Sequence, residues 1–98
     1  MTWRIIVRPR AEADLQWAWQ HYEREQTGLG DEFLRELRPL VQSLERHPER
    51  APCYYRGFRR LLAARFPYKI FYRIVADRVI VFRVLHAIQD HRHQLTRR

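Results

Sequence analysis

From Pro9 to Leu44 the apolar residues recur every three or four positions; from Gly57 to His86 they recur every second one. The first rhythm is that of helices with one buried stripe, the second that of strands with one buried face. Before both, Trp3–Arg8 (WRIIVR) is rich in strand formers and predicts a short first strand. Pro9 suits the first turn of a helix, where a missing N–H costs little. Ala11, Leu15, Ala18, Trp19 and Tyr22 then line one face of that helix, and Trp17 lies off the stripe. Gly28 and Gly30 in TGLGD predict the end of this helix and the start of the next. Phe33, Leu34, Leu37, Leu40, Val41 and Leu44 form the apolar face of the second helix. Pro39 predicts a kink there, or a helical segment ending near Arg38, because its ring displaces the bond to the Arg35 carbonyl. HPERAP, His47–Pro52, stops the second helix.

Three strands follow: Gly57–Arg65, Arg65–Val75 and Arg78–His86, the last two joined by a short turn at Ala76–Arg78. Strands so closely spaced pair antiparallel. In RFPYKIFYRI, Arg65–Ile74, the even positions Phe66, Tyr68, Ile70, Tyr72 and Ile74 are all apolar or aromatic and should meet the helices. The odd positions, with Arg65, Lys69 and Arg73, should look outward beside Arg59 or Arg60 and Arg83. VIVFRVL is apolar on both faces apart from Arg83, which predicts a central strand. The fold class expected is α+β, in the order β-α-α-β-β-β: a helical hairpin packed on a small, largely antiparallel sheet. Residues 1–98 form one domain, with a tail, 88–98, that lacks periodicity and reads as a terminal turn or a frayed end.

Composition adds exclusions. An apolar content of 46% is ordinary for a globular chain and too high for a disordered one. No apolar run approaches the ~20 residues of a membrane span, and MTWRIIVRPRAEADL lacks the plan of a signal peptide. The single Cys53 forms no internal disulfide, which predicts a reducing cytosol.

Charge changes the picture more. Residues 1–50 hold eight Arg against nine Asp/Glu, net −1, and residues 51–98 hold eleven Lys/Arg against Asp77 and Asp90, net +9. Every cation except Lys69 is arginine, whose planar fork suits phosphate and carboxylate. The segregation predicts an anionic partner, either nucleic acid or an acidic protein segment. No helix carries the excess, so a helix reading a DNA groove is not expected.

Metal-free RNA cleavage needs a base for the 2′-OH, cations for the crowded phosphate and an acid for the leaving oxygen. Arg65, Lys69, Arg73 and Arg83 are the candidate cations, and His86 is the one well-placed group titrating near neutral pH. The plain alternative for His86 is a strand-end histidine bonded to backbone. Tyr68 and Tyr72 could donate a proton, but alternation places both on the core face. Asp90, His91 and His93 make a poor metal site with no second cluster to complete it, and neither metal nor cofactor is expected. Cys53 has no base at a recognisable spacing. Trp17 is a candidate partner contact.

The order of elements, together with GLGDEFLREL, HPER, FRRLLAARFPYKIFYRI and VFRVLH, resembles the RelE/ParE superfamily of bacterial type II toxin–antitoxin modules. The resemblance runs from Ile5 to about Asp90. The spacing of Arg65, Phe66, Pro67, Tyr68, Ile70 and Tyr72 is most similar to the ParE-like branch, which is associated with plasmid stabilization. It implies a cognate acidic antitoxin whose C-terminal segment folds around the toxin in a hetero-oligomer. It implies further a target, either DNA gyrase (ParE branch) or ribosome-bound mRNA (RelE branch). RelE-like nucleases place a tyrosine near the C-terminus, and here no tyrosine follows Tyr72. Gyrase inhibition without covalent chemistry is therefore the activity the resemblance implies. The alternatives are a ribosome-dependent mRNA endonuclease using Arg65, Lys69, Arg83 and His86, or an inactive interaction module. The expected antitoxin or target surface comprises Trp17, Arg59, Arg60, Arg65, Lys69, Arg73 and Arg83.

Overall fold

The computed structural model describes residues 2–88 and residue 95. Its elements are β1 (Arg4–Val7), α1 (Pro9–Glu25), α2 (Leu29–Ser43), β2 (Cys53–Tyr55), β3 (Phe58–Leu62), β4 (Tyr68–Val75) and β5 (Arg78–His86). The sheet runs β1-β5-β4-β3-β2. β1 lies parallel to β5, and all other pairings are antiparallel. The expected α+β class and helical hairpin are present. β2, a three-residue edge strand in the segment after HPER, was not anticipated, because three residues carry no period. The strand expected over Arg65–Val75 begins only at Tyr68, since residues 63–67 form a loop.

The helices pack on one sheet face through the alternation of RFPYKIFYRI. Phe66, Tyr68, Ile70 and Tyr72 are buried in one cluster with Ala11, Leu15 and Ala18 of α1 and Phe33 and Leu37 of α2. At its centre Tyr22, Phe33, Phe66 and Tyr68 meet with ring centroids 4.9–6.2 Å apart, mostly edge to face, as aromatic quadrupoles prefer. The Tyr72 hydroxyl, fully buried, donates to the Pro48 carbonyl at 2.8 Å and so fixes the segment that ends the helical layer.

Carboxylates of the first half of the chain clasp backbone. Between the helices the chain turns at Gly28, whose φ of +90° disfavours any side chain. Glu23 accepts the N–H groups of Gly28 and Gly30 at 3.0–3.1 Å, and a Cβ on Gly30 would sit 2.7 Å from the Trp19 carbonyl. Glu36 accepts the N–H groups of Ala64, Arg65 and Phe66 at 2.9–3.1 Å, which shapes the loop before β4. α2 continues through Pro39 to Ser43 rather than ending near Arg38. Pro39 is exposed, so the Arg35 carbonyl that it leaves unbonded can be met by water.

β4 and β5 pair with a break. Phe71 faces Arg83 and Tyr72 faces Val81, so Phe82 is an extra residue in β5, a β-bulge. Past the bulge, Val84 joins the helix-side core while Phe82 and Leu85 pack on the opposite face with Phe58, Phe71 and Leu95. The outer face therefore has a small core of its own.

Two consequences can be measured. Burial opposes the charge on Glu36, but the N–H groups of Arg65, Phe66 and Ala64 and the charge of Arg65 outweigh it, holding the carboxyl below the usual glutamate range. Stability from such a group is complete above its unfolded pKa and is lost as pH falls through the folded value. In urea unfolding Glu36→Gln should cost about 1–2 kcal/mol at neutral pH, and the gap from wild type should close with acidification below the glutamate range. Pro39→Ala restores a helix bond and should raise stability by about 1–2 kcal/mol, read from the same titration.

Candidate binding site: a helix-side cleft and a cationic sheet face

The bulge places the candidate residues. Arg83 was expected to look outward, but it turns to α1. Its Nε and Nη2 donate to the two oxygens of Asp14 at 2.7 and 2.9 Å, and the Val84 N–H donates to the same carboxylate at 2.9 Å. Both side chains are about seven-eighths buried, at 12% and 14% exposure. Alternation from Arg78 already turns Arg83 inward after Val79 and Val81, and the extra residue in β5 then turns Val84 to the helix side as well. Arg65 lies in the loop before β4, stacks on Phe66 and donates to Glu32 at 2.6 Å. Arg59 pairs in register with buried Tyr72 and donates to the carbonyls of Glu49 and Ala51, so it is Arg60 that faces outward.

His86 stands opposite Tyr68 on the helix side, with ring centroids 5.3 Å apart, and its Nδ1 accepts the Ile88 N–H at 3.3 Å. His86 thus closes β5 while accepting a backbone N–H and facing the Tyr68 ring. Together with Trp17, His21 and Tyr22 these residues line a cleft of about 400 Å³ between α1 and the end of β5. Trp17 stacks flat on His21 at 5.6 Å yet stays 60% exposed, and Ile88 is 87% exposed. The off-stripe position of Trp17 signalled this exposure; Ile88 and His21 carried no signal in the sequence. The Tyr68 phenol is pushed up to about 12 by burial first, then by Tyr22 and Asp14. At neutral pH it is a proton donor only.

The opposite face of the sheet has different chemistry. The described strands contain no Asp or Glu. Arg4, Arg78, Arg73, Lys69 and Arg60 face outward, spread over β1, β5, β4 and β3. Several guanidinium groups lie on rings: Arg8 4.4 Å from Phe82, Arg73 4.1 Å from Phe58 and Arg60 3.9 Å from Tyr54. Arg73 also donates to the Arg56 carbonyl at 2.7 Å. The four residues named for RNA cleavage are thus distributed. Lys69 is on the outer face, His86 is in the cleft, and Arg65 and Arg83 are bound to carboxylates. Asp90, His91 and His93 lie outside the described residues.

A family model described as the ParE toxin of the type II toxin–antitoxin system parDE matches residues 5–91. The chain belongs to the ParE toxin family. Among solved structures, this ParE-family chain is similar to one from the chromosomal ParDE system of P. aeruginosa. The TM-score is 0.79 at 18% identity, covering 87% of this chain and 96% of that one. It is also similar to a chain of the RelBE2 toxin–antitoxin complex of Mycobacterium tuberculosis, with a TM-score of 0.64 at 22% identity, covering 88% and 99%. At such identities the likeness is one of fold. No curated protein matches the sequence. No helix among the described residues is long and apolar enough to cross a membrane.

The Asp14–Arg83 pair makes a sharp prediction for this ParE-family toxin. Asp14→Ala strands a buried guanidinium and should cost about 3–5 kcal/mol. Replacing both partners, Asp14→Leu with Arg83→Met, should recover only part of that loss in the same unfolding assay, because the Val84 N–H is left without its acceptor.

Proposed function

We propose that the protein is a cytosolic toxin neutralised by an acidic antitoxin and acting by binding and inhibiting DNA gyrase. The observation that supports binding over cleavage is the dispersal of the candidate nuclease residues. In-line attack by a 2′-OH needs a base, cations and an acid around one phosphate. Here Lys69 and His86 lie on opposite faces of the sheet, and Arg65 and Arg83 are engaged by Glu32 and Asp14. Inhibition by binding needs only a surface, and two are at hand. The cleft beside Trp17 and Ile88 is open and apolar at its rim. It suits the apolar anchors of an antitoxin segment that orders on binding. Arg60, Lys69 and Arg73 supply the surface for an anionic partner.

The test is a pair of assays on the purified toxin. Gyrase supercoiling should stop at toxin concentrations that leave cell-free translation intact, and a Trp17→Ala variant should lose at least tenfold in affinity for the antitoxin. Cleavage of mRNA on ribosomes with gyrase unaffected would establish the RelE-like alternative instead.

A further inference from the structure

The outer sheet face carries cations on four strands and no acid among its described strand residues, and its construction narrows the anion it takes. We infer that this face binds the phosphate backbone of duplex DNA without reading its sequence. The choice of DNA over another polyanion of like spacing rests on the gyrase reading above; the assignment of the face does not.

Three observations carry it. The cations form a field rather than a line. Arg4, Arg78, Lys69 and Arg60 sit on four successive strands, which at about 4.8 Å per strand span roughly 15 Å. A single extended peptide lies along one or two strands, whereas a duplex presents a dense charge, about one per 1.7 Å of axis, over a wide surface. Second, the middle of the face offers little for a peptide to bury, and its two exposed apolar residues, Leu62 and Val75, stand apart beside opposite ends of β4. Phe58 and Phe71 are 2% and 0% exposed, and the ring of Phe58 is already covered by Arg73. A flexible acidic segment must bury apolar area to offset its ordering entropy, while a rigid duplex has almost none to lose. The exposed apolar residues that share one cleft, Trp17 and Ile88, lie on the other side of the molecule. Third, the covered rings cannot stack on bases, so what points outward is the guanidinium fork. Forks contact phosphates and position a protein on nucleic acid without specifying sequence.

The experiment is fluorescence anisotropy with the full-length toxin and two labelled DNA duplexes of unrelated sequence. A labelled duplex RNA and labelled poly-glutamate are run beside them, between about 50 and 200 mM salt. Both DNA duplexes should bind equally, with affinity falling steeply as salt rises. Lys69→Gln with Arg78→Gln should lower the slope of log affinity against log salt by about 2. Arg35→Gln with Arg38→Gln, an equal charge change on the exposed side of α2, should leave the slope unchanged. Matching circular dichroism and melting curves for both variants show that the fold is kept. Equal losses in the two variants would mean attraction by net charge alone and would overturn the inference. So would absent DNA binding, or poly-glutamate bound as tightly through the same residues. Preference for the RNA duplex would overturn the choice of DNA. Gyrase left uninhibited while face-dependent DNA binding persists would refute the gyrase reading and leave the face assignment standing.

Discussion

The carboxylate of Asp14 holds this structure in register. It takes two donors from Arg83 and one from the Val84 backbone, joining α1 to the interior strand β5 beside its bulge. A bulge leaves backbone groups unpaired and bends its strand, so it persists where something compensates. Here Asp14 accepts the Val84 N–H and neutralises the inward Arg83 beside it. Everything beyond the bulge follows. Val84 enters the helix-side core, Leu85 goes to the outer cluster, and His86 meets Tyr68 in the cleft. Breaking alternation once lets one strand serve two faces of unlike chemistry.

The charge split of the sequence becomes a property of the fold. The carboxylates of Asp14, Glu23, Asp31, Glu32 and Glu36 all lie on the helices and all act inside the molecule. They clasp the interhelical turn, the Trp19 indole, the loop before β4 and the central strand. None of the described strands carries an acid. A chain whose first half is nearly neutral and whose second half is strongly basic thus folds into an internally compensated helical layer on an uncompensated sheet. Mutating a helix acid disturbs stability, whereas mutating an outer-face cation such as Lys69 disturbs the surface potential.

Much of this was legible before any coordinates. The stripes of α1 and α2, the Gly28 turn and the even face of RFPYKIFYRI are local patterns, and local patterns survive folding. The exposure of Trp17 followed from its position off the stripe. What was illegible depends on contacts far apart in the chain. The bulge at Phe82 lies beside a contact to α1, and nothing in VIVFRVL marks where alternation breaks. Arg83 was assigned outward because the carboxylate that holds it on the helix side, Asp14, lies 69 residues earlier in the chain. β2 is too short to show a period, and its pairing is evident only beside β3. Pro39 pointed to a kink or an early end because propensity weighs a missing bond heavily; an exposed site, where water can meet the freed carbonyl, lowers that cost. The outer cluster around Phe71 was hidden because alternation labels an odd aromatic as exposed without showing what covers it.

Ring contacts offset part of the cost of ordering the arginines on the outer face. Like charges on neighbouring strands repel, and each long side chain loses about 2 kcal/mol of rotamer freedom when fixed. Laying a guanidinium on a ring returns about 0.5–1 kcal/mol at an exposed site and keeps the charge in water. Arg60 lies on Tyr54, Arg73 on Phe58 and, further off, on the Phe82 ring that Arg8 also covers, so these guanidinium groups are held without a carboxylate. A lysine gains less from the same arrangement, because its ammonium is compact and strongly hydrated. That difference accounts for a face built almost wholly from arginine. Arg60 and Arg73 are thus held before any partner arrives, and less of the entropy of association is lost in fixing them.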